Sequence, residues 1–107
     1  MTDRELLELA AKAAGVKGEY HPDNGIFPDG GGVSTEYWNP LIDDGDALRL
    51  AVKLRMDLML YSDTKGAFIG SRGREEKQFA ESDVNDPCAA TRRAIVRAAA
   101  EIGKAMQ

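Results

Sequence analysis

Three stretches of the chain place apolar residues at the three- and four-residue spacing of a helix that buries one face. The first helix is predicted over residues 3–14. Thr2 and Glu5 have the spacing of a capping box, in which each side chain bonds the other residue's backbone. Gly15 follows and favours the left-handed conformation that ends a helix.

The last helix is predicted to begin after Asp86, whose side chain can accept a hydrogen bond from the first turn. Pro87 would occupy its first position, where a missing N–H has no helical partner to lose. The predicted buried stripe consists of Ala90, Ala94, Ile95, Ala98, Ala99, Ile102 and Met106.

The middle helix is predicted to start at a cap formed by Asp43 or Asp44 and to run to about Arg55. Its apolar positions predict one buried side, widened by two further leucines. That side consists of Leu48, Ala51, Val52 and Arg55, with Leu50 and Leu54 beside them.

Shorter apolar runs between these helices have the composition of β-strands. The predicted strands cover residues 25–28, 33–38, 57–61, 67–70 and 77–81. The glycine triplet at 30–32 is expected to be the hairpin turn between the first two, and residues 63–66 a second turn. The segment 57–61 is almost continuously apolar, as expected of a strand covered on both faces.

The predicted order is α-β-β-α-β-β-β-α, which indicates an α+β fold with a small, mainly antiparallel sheet of three to five strands and three helices. A length of 107 residues predicts one domain over residues 1–107. Hydrophobic residues make up 43% and charged residues 30%, which is typical of a globular protein rather than a disordered one.

Charge and cysteine usage limit the classes of function. Eighteen acidic against fourteen basic residues give a net charge of -4, which argues against a dedicated nucleic-acid binder. One cysteine and one histidine cannot form a zinc cage or an internal disulfide, and no cofactor is predicted. No secretory pattern and no apolar run of about 20 residues is present, so we expect a cytoplasmic protein without a membrane partner.

Two segments resemble a known group of proteins: residues 38–54, WNPLIDDGDALRLAVKL, and residues 86–102, DPCAATRRAIVRAAAEI. They resemble small uncharacterised proteins of tailed phages and prophages of Gram-negative bacteria. They are also similar to the phage α-β-α (ABA) sandwich domain, in which a helix after a tryptophan, a short meander and a closing alanine-rich helix recur. The resemblance implies a phage or prophage setting in a bacterial host and helix–sheet–helix layering. It implies no activity, ligand or catalytic residue.

Three carboxylates are crowded into four residues at Asp43, Asp44 and Asp46, a spacing that can hold Mg²⁺ or Ca²⁺. The pattern of an EF-hand loop is absent. A cap followed by acids that oppose the positive end of the helix dipole explains the same residues, and we favour that explanation. The alternative is a small metal- or nucleotide-binding protein or enzyme that uses this cluster.

Cys88 is predicted in the first turn of the last helix, where the dipole favours a reactive thiolate. Its only candidate imidazole base is His21, which lies in a glycine-rich region beside a proline. We therefore expect a buried or half-buried structural thiol and a histidine in a surface loop, and no catalytic residue.

The last helix also carries a basic group, Arg92, Arg93 and Arg97, that could bind phosphates. A nucleic-acid-binding face is therefore a second alternative. The favoured interpretation is a solvated face opposite the alanine stripe, with Arg97 and Glu101 paired one turn apart.

Tyr37 and Trp38 precede a proline and, as neighbours in a strand, should point to opposite faces. We expect Trp38 to enter the core beneath the middle helix. Tyr37, with Tyr20 and Phe27, would then form an exposed aromatic surface of the kind enriched at binding hot spots. The leading hypothesis is a non-enzymatic phage or prophage accessory protein that binds a host or phage protein through residues 20–38, or that self-associates.

Overall fold

A computed structural model describes residues 1–29, 36–60, 64–69, 77–82 and 86–106. Its helices and strands follow the predicted order, and the α+β class is confirmed. The elements are α1 (Asp3–Ala14), β1 (Gly18–His21), β2 (Gly25–Pro28), α2 (Asp44–Lys53), β3 (Asp57–Leu60), β4 (Thr64–Ile69), β5 (Lys77–Ser82) and α3 (Pro87–Ala105). In these ranges β1 and β2 form an antiparallel pair, and β3, β4 and β5 form an antiparallel sheet in chain order.

The predicted start of α1 is confirmed. The Thr2 hydroxyl accepts from the Glu5 N–H at 3.2 Å, and the Thr2 N–H donates to Glu5 Oε1 at 3.3 Å. These hydrogen bonds from the backbone and hydroxyl of Thr2 lower the pKa of the Glu5 carboxyl. Gly15 ends the helix with a φ of 75°, in the left-handed region.

The other two helices also begin at predicted caps. Asp43, rather than Asp44, accepts from the Asp46 N–H at 2.7 Å to start α2, and Asp86 accepts from the Ala89 N–H at 3.0 Å to start α3. The middle helix ends two residues before the predicted Arg55, which adopts a φ of 56°.

The strands between α1 and α2 differ from the prediction. The first hairpin joins β1 to β2 through the turn at residues 22–24, and β1 was not predicted. Of the predicted strand 33–38, Trp38 forms an isolated bridge to Ile26, while residues 30–35, including the glycine triplet, lie outside the described residues.

The second sheet also differs from the prediction at its first turn. Residues 64–66, predicted as part of a turn, are instead the first residues of β4, and Gly66 pairs with Met59 of β3 and with Ala80 of β5. Residues 61–63 and 70 are not among the described ones.

The core is organised around α3, which packs against α1, α2, β4 and β5. Alanines dominate its buried face, so the helix axes can approach closely. The main cluster consists of Leu6, Ala10, Ala14, Ala47, Leu50, Ala51, Ala94, Ile95, Val96, Ala98, Ala99 and Ala100. In the described part of the chain, no helix has the length and apolar character needed to cross a membrane.

The buried face of α2 was predicted wrongly. Ala47, Leu50 and Ala51 are buried, whereas Leu48 is 58% exposed and Val52 is 68% exposed. Apolar residues surround much of this short helix, so the sequence pattern does not fix which side faces α3. At the end of α3, Ile102 is half-buried and Met106 is 42% exposed, although both were predicted in the buried stripe.

Candidate functional site: an exposed aromatic cluster

The β1–β2 hairpin sorts its side chains onto two faces, because successive residues of a strand point to opposite sides. Tyr20 lies opposite Ile26, and Glu19 lies opposite Phe27. Ile26 is buried and Tyr20 half-buried, and both pack in a small cluster against α1. Phe27 therefore points away from the core, and it is 38% exposed.

Trp38 extends this pattern across a third backbone segment. Its N–H donates to the Ile26 carbonyl at 2.8 Å, and its carbonyl accepts from the Ile26 N–H at 2.9 Å. The bridge aligns Trp38 with Ile26 on the core side, and Tyr37 with Phe27 on the outer side. Gly25 permits the approach, because a Cβ there would lie 2.6 Å from the Trp38 carbonyl oxygen.

Three rings meet on the outer side. The centroids of Phe27 and Tyr37 are 5.3 Å apart, those of His21 and Tyr37 5.5 Å, and those of His21 and Phe27 6.2 Å. The interplanar angles are 64–71°, so each pair has edge-to-face geometry. Tyr37 is 36% exposed. We call these three residues the aromatic cluster.

The prediction was correct for Phe27 and Tyr37, which meet at the surface, but Tyr20 does not join them. It packs towards α1, with the Arg4 guanidinium 5.3 Å from its ring centroid. His21 takes the third place, and the sequence analysis missed it. The Pro-Asp-Asn-Gly run at residues 22–25 is a turn signal that would have placed His21 at a strand end, two residues from Glu19 on the Phe27 face.

A polar groove of about 660 Å³ adjoins Tyr37, and we call it the Tyr37 groove. It lies between the outer side of the hairpin region and the start of α2. Its lining consists of Asn24, Glu36, Tyr37, Asn39, Ile42, Asp43, Gly45, Asp46 and Arg49. The apolar side chain at its rim, Ile42, is 64% exposed.

Asn39 fixes the floor of this groove. It is buried, and its Nδ2 donates to the Asn24 carbonyl at 3.3 Å while its Oδ1 accepts from the Leu41 N–H at 3.1 Å. Its backbone N–H donates to Asp46 Oδ2 at 2.9 Å, and its carbonyl accepts from the Asp43 N–H at 2.9 Å. Asn39 therefore ties the hairpin turn, through its side-chain amide, to the start of α2, through its backbone N–H and carbonyl.

The three clustered carboxylates all have partners within the protein. Asp43 caps α2, Asp46 accepts from Arg49 at 2.8 Å, and Asp44 accepts from Arg92 at 2.7 Å. Among the described residues, no group of three or more His, Cys, Asp or Glu side chains is arranged to hold a metal ion. The geometry favours the structural explanation of these acids.

The predicted basic group of α3 is engaged rather than solvated. Arg92, Arg93 and Arg97 are all half-buried. Arg92 pairs with Asp44, and Arg93 donates to Asp3 at 3.1 Å. These two guanidinium groups connect α3 to the starts of α1 and α2, which reduces their availability to an external phosphate.

We expect Arg92→Ala to lower the free energy of unfolding by about 1–2 kcal/mol, because two interactions are lost. The Arg92 Nε donates to the Leu41 carbonyl at 2.8 Å, and only 16% of the side chain is exposed. Asp44→Asn is the control: that carboxylate is 72% exposed, so its loss should cost no more than about 0.5 kcal/mol. Urea unfolding followed by circular dichroism measures both, and equal stabilities of the two variants would contradict the expectation.

Cys88 is exposed, not buried or half-buried as predicted. It lines an almost wholly apolar groove of about 300 Å³ with Leu48, Leu58 and Leu60. His21 packs against the rings of Phe27 and Tyr37 and is not among the residues that line the groove of Cys88, so the structure does not bring this imidazole and this thiol together as a catalytic pair.

Comparisons of the chain with protein-family models, with curated proteins and with solved structures find no match. The relation to phage proteins therefore stays a prediction from the two sequence segments that resemble them.

Proposed function

We propose that the protein is a non-enzymatic accessory protein of a phage or prophage, acting in the host cytoplasm by binding another protein through the aromatic cluster. The observation that carries the proposal is the packing of Phe27 and Tyr37 on the outer face, with ring centroids 5.3 Å apart and both side chains exposed. Large rings that are already held in place lose little conformational entropy on binding, and aromatic residues dominate binding hot spots.

The backbone beneath the cluster supports the same proposal. The backbone bridge between Ile26 and Trp38 and the hydrogen bond from the buried Asn39 side chain to the Asn24 carbonyl hold the two sides of the cluster. The surface therefore has the rigidity that reduces the free-energy cost of association.

The partner can be sought directly with a photoreactive phenylalanine analogue in place of Tyr37, in bacteria that carry the phage or prophage. The same analogue in place of Val52, which is 68% exposed on α2, provides the matched control. The proposal requires a cross-link from position 37 that is absent from position 52. A cross-link to a second copy of this chain would identify self-association as the function of the surface.

The double variant Phe27→Ala/Tyr37→Ala should bind the purified cross-linked partner at least about 30-fold more weakly, since truncating two hot-spot rings removes about 2 kcal/mol or more. Calorimetric titration measures the affinity. Leu48→Ala/Val52→Ala is the control, because it removes two exposed apolar side chains from another face. Wild-type affinity in the aromatic double variant would refute the proposed surface.

A further inference from the structure

We propose that the protein forms a homodimer through α2, with the α2 helices of two copies lying antiparallel across a two-fold axis. This surface is separate from the aromatic cluster, so the inference does not depend on the proposed function. It is carried by the exposed apolar side chains of α2 and β3, by the apolar groove beside Cys88 and by the charges at the two ends of α2.

The solvent side of α2 carries a contiguous group of apolar side chains. Leu48 and Val52 are four residues apart, so they lie on one face of the helix, about 6 Å apart along its axis. Leu60 of β3 is 63% exposed and lines the same groove as Leu48. Single exposed apolar residues are ordinary on a protein surface, but a contiguous group of them marks an interaction site.

This surface is complementary to itself in shape. The groove of about 300 Å³ lies beside Leu48, and Leu58, Leu60 and Ile95 form much of the rest of its lining. Val52, the more exposed of the two α2 side chains, is not among the lining residues. A two-fold axis that crosses α2 midway between positions 48 and 52 places Val52 of each copy over the groove of the other. The two contacts are then identical, as in the isologous interface of a symmetric dimer.

The charges at the ends of α2 favour the antiparallel direction. The axis that sets position 48 against position 52 also sets position 44 against position 56, which is next to Arg55. The Asp44 side chain is 72% exposed, and Arg55, just beyond the end of the helix, is also exposed. Antiparallel helices bring these opposite charges of the two copies together twice, whereas parallel helices would oppose like charges.

The internal ion pair of Asp44 is compatible with this arrangement. Its hydrogen bond from Arg92 uses Oδ1, and a carboxylate can accept further bonds through its second oxygen. The same surface therefore supplies both halves of the apolar contact and both halves of the charged contact. A second copy of the chain is the partner that it fits.

Sedimentation velocity of the purified full chain tests the association. Because α2 has only 10 residues, the interface is short, and we expect a reversible dimer with a Kd on the order of 10–100 μM. The sedimentation coefficient should rise from that of a monomer at about 1 μM to nearly that of a dimer at about 500 μM. A monomer at every concentration in this range would overturn the inference.

Val52→Asp should weaken the dimer at least about 30-fold, because it places a charge in the apolar contact twice. The position is 68% exposed in the single chain, so the variant should keep its fold, which circular dichroism verifies. Tyr37→Ala is the control and should associate like the wild type. Association that survives Val52→Asp but is lost in Tyr37→Ala would assign it to the aromatic cluster and overturn the inference.

A charge exchange tests the antiparallel direction. Asp44→Lys and Arg55→Glu should each weaken the homodimer about fivefold or more, since each variant opposes like charges at both ends of the interface. An equimolar mixture of the two variants should regain nearly the wild-type association, because every charged contact in the mixed dimer again joins opposite charges. A mixture that associates no better than either variant alone would contradict the proposed arrangement.

The native thiol reports whether the groove is covered. Cys88 lines the groove and is exposed in the single chain. Its alkylation by iodoacetamide in constant excess should therefore be at least about threefold slower at 500 μM protein than at 1 μM. Val52→Asp should show the same rate at both concentrations. An unchanged rate in the dimeric wild type would show that the groove stays open, against the inference.

The photoreactive analogue at position 52 separates this inference from the proposed function. The expected adduct there is a second copy of the chain, whereas the expected adduct at position 37 is another protein. The two products differ in mass, so each proposal can fail while the other holds. Absence of the dimeric adduct at position 52 at about 500 μM protein would count against the homodimer alone.

Discussion

Replacing Trp38 by alanine is expected to lower the free energy of unfolding by about 3 kcal/mol. The ring is half-buried, and it packs against both core clusters, so its removal opens a cavity at the junction between the hairpin and α2. Natural domains have a total stability of about 5–15 kcal/mol, so this loss would be a large share of the whole. The expected value stands at the lower end for a tryptophan truncation because part of the ring is already in contact with water.

Urea unfolding followed by far-ultraviolet circular dichroism measures this change, because the variant lacks the only tryptophan of the chain. Tyr37→Ala is a matched control: it truncates the adjacent ring, which is 36% exposed and points away from the core. The control should lose at most about 1 kcal/mol. If the two variants lost equal stability, the assignment of the two rings to opposite faces would be wrong.

Replacing Gly103 by alanine is expected to lower the free energy of unfolding by about 2–3 kcal/mol. This glycine lies near the end of α3, where α1 crosses it. An added Cβ would overlap with the Leu9 carbonyl oxygen and lie 2.8 Å from the carbonyl carbon. Both atoms belong to the backbone of a helix, so the clash cannot be relieved by a side-chain rotation, and the two helices must separate.

Gly45→Ala provides the contrasting case in the same protein. Its added Cβ would lie 3.1–3.2 Å from the guanidinium nitrogens of Arg49, which can rotate away, and 3.2 Å from Asp43 Oδ2, which is held by its hydrogen bond to the Asp46 N–H and must give by a few tenths of an ångström. Because Gly45 is the second residue of α2, the higher helix propensity of alanine should roughly offset the adjustment at the Asp43 cap, and stability should change by at most about 0.5 kcal/mol. Thermal unfolding by calorimetry compares the two variants. A Gly103→Ala melting temperature at or above that of the wild type would disprove the close helix crossing.

The helix starts were predictable because their signals are local. Thr2, Asp43 and Asp86 each accept a hydrogen bond from a backbone N–H three residues later, so a four-residue pattern is sufficient to identify them. The face that a helix buries depends instead on distant partners. In α2, Leu48 was as apolar a candidate as Leu50, and only the position of α3 decides that Leu50 is buried.

The candidate site was half predictable for a related reason. The alternation of a strand correctly separated Tyr37 from Trp38, but the hairpin partner of β2 was placed after it in the chain rather than before it. With β1 as the partner, the register sets Tyr20 opposite the buried Ile26 and leaves His21 on the outer face. A glycine-rich composition concealed β1, since glycine in a strand weakens the pattern on which the prediction depends.

The central position of α3 has a consequence for synthesis of the chain on the ribosome. The ion pair between Asp3 and Arg93 joins residues separated by 90 positions, and α1 packs on α3 over the same span. At a translation rate of about 5–20 residues per second, the apolar stripe of α1 is made about 5–20 s before the helix that covers it. During that interval, the leucines and alanines of nascent α1 are not yet covered by α3, and chaperones at the exit of the ribosomal tunnel can bind them.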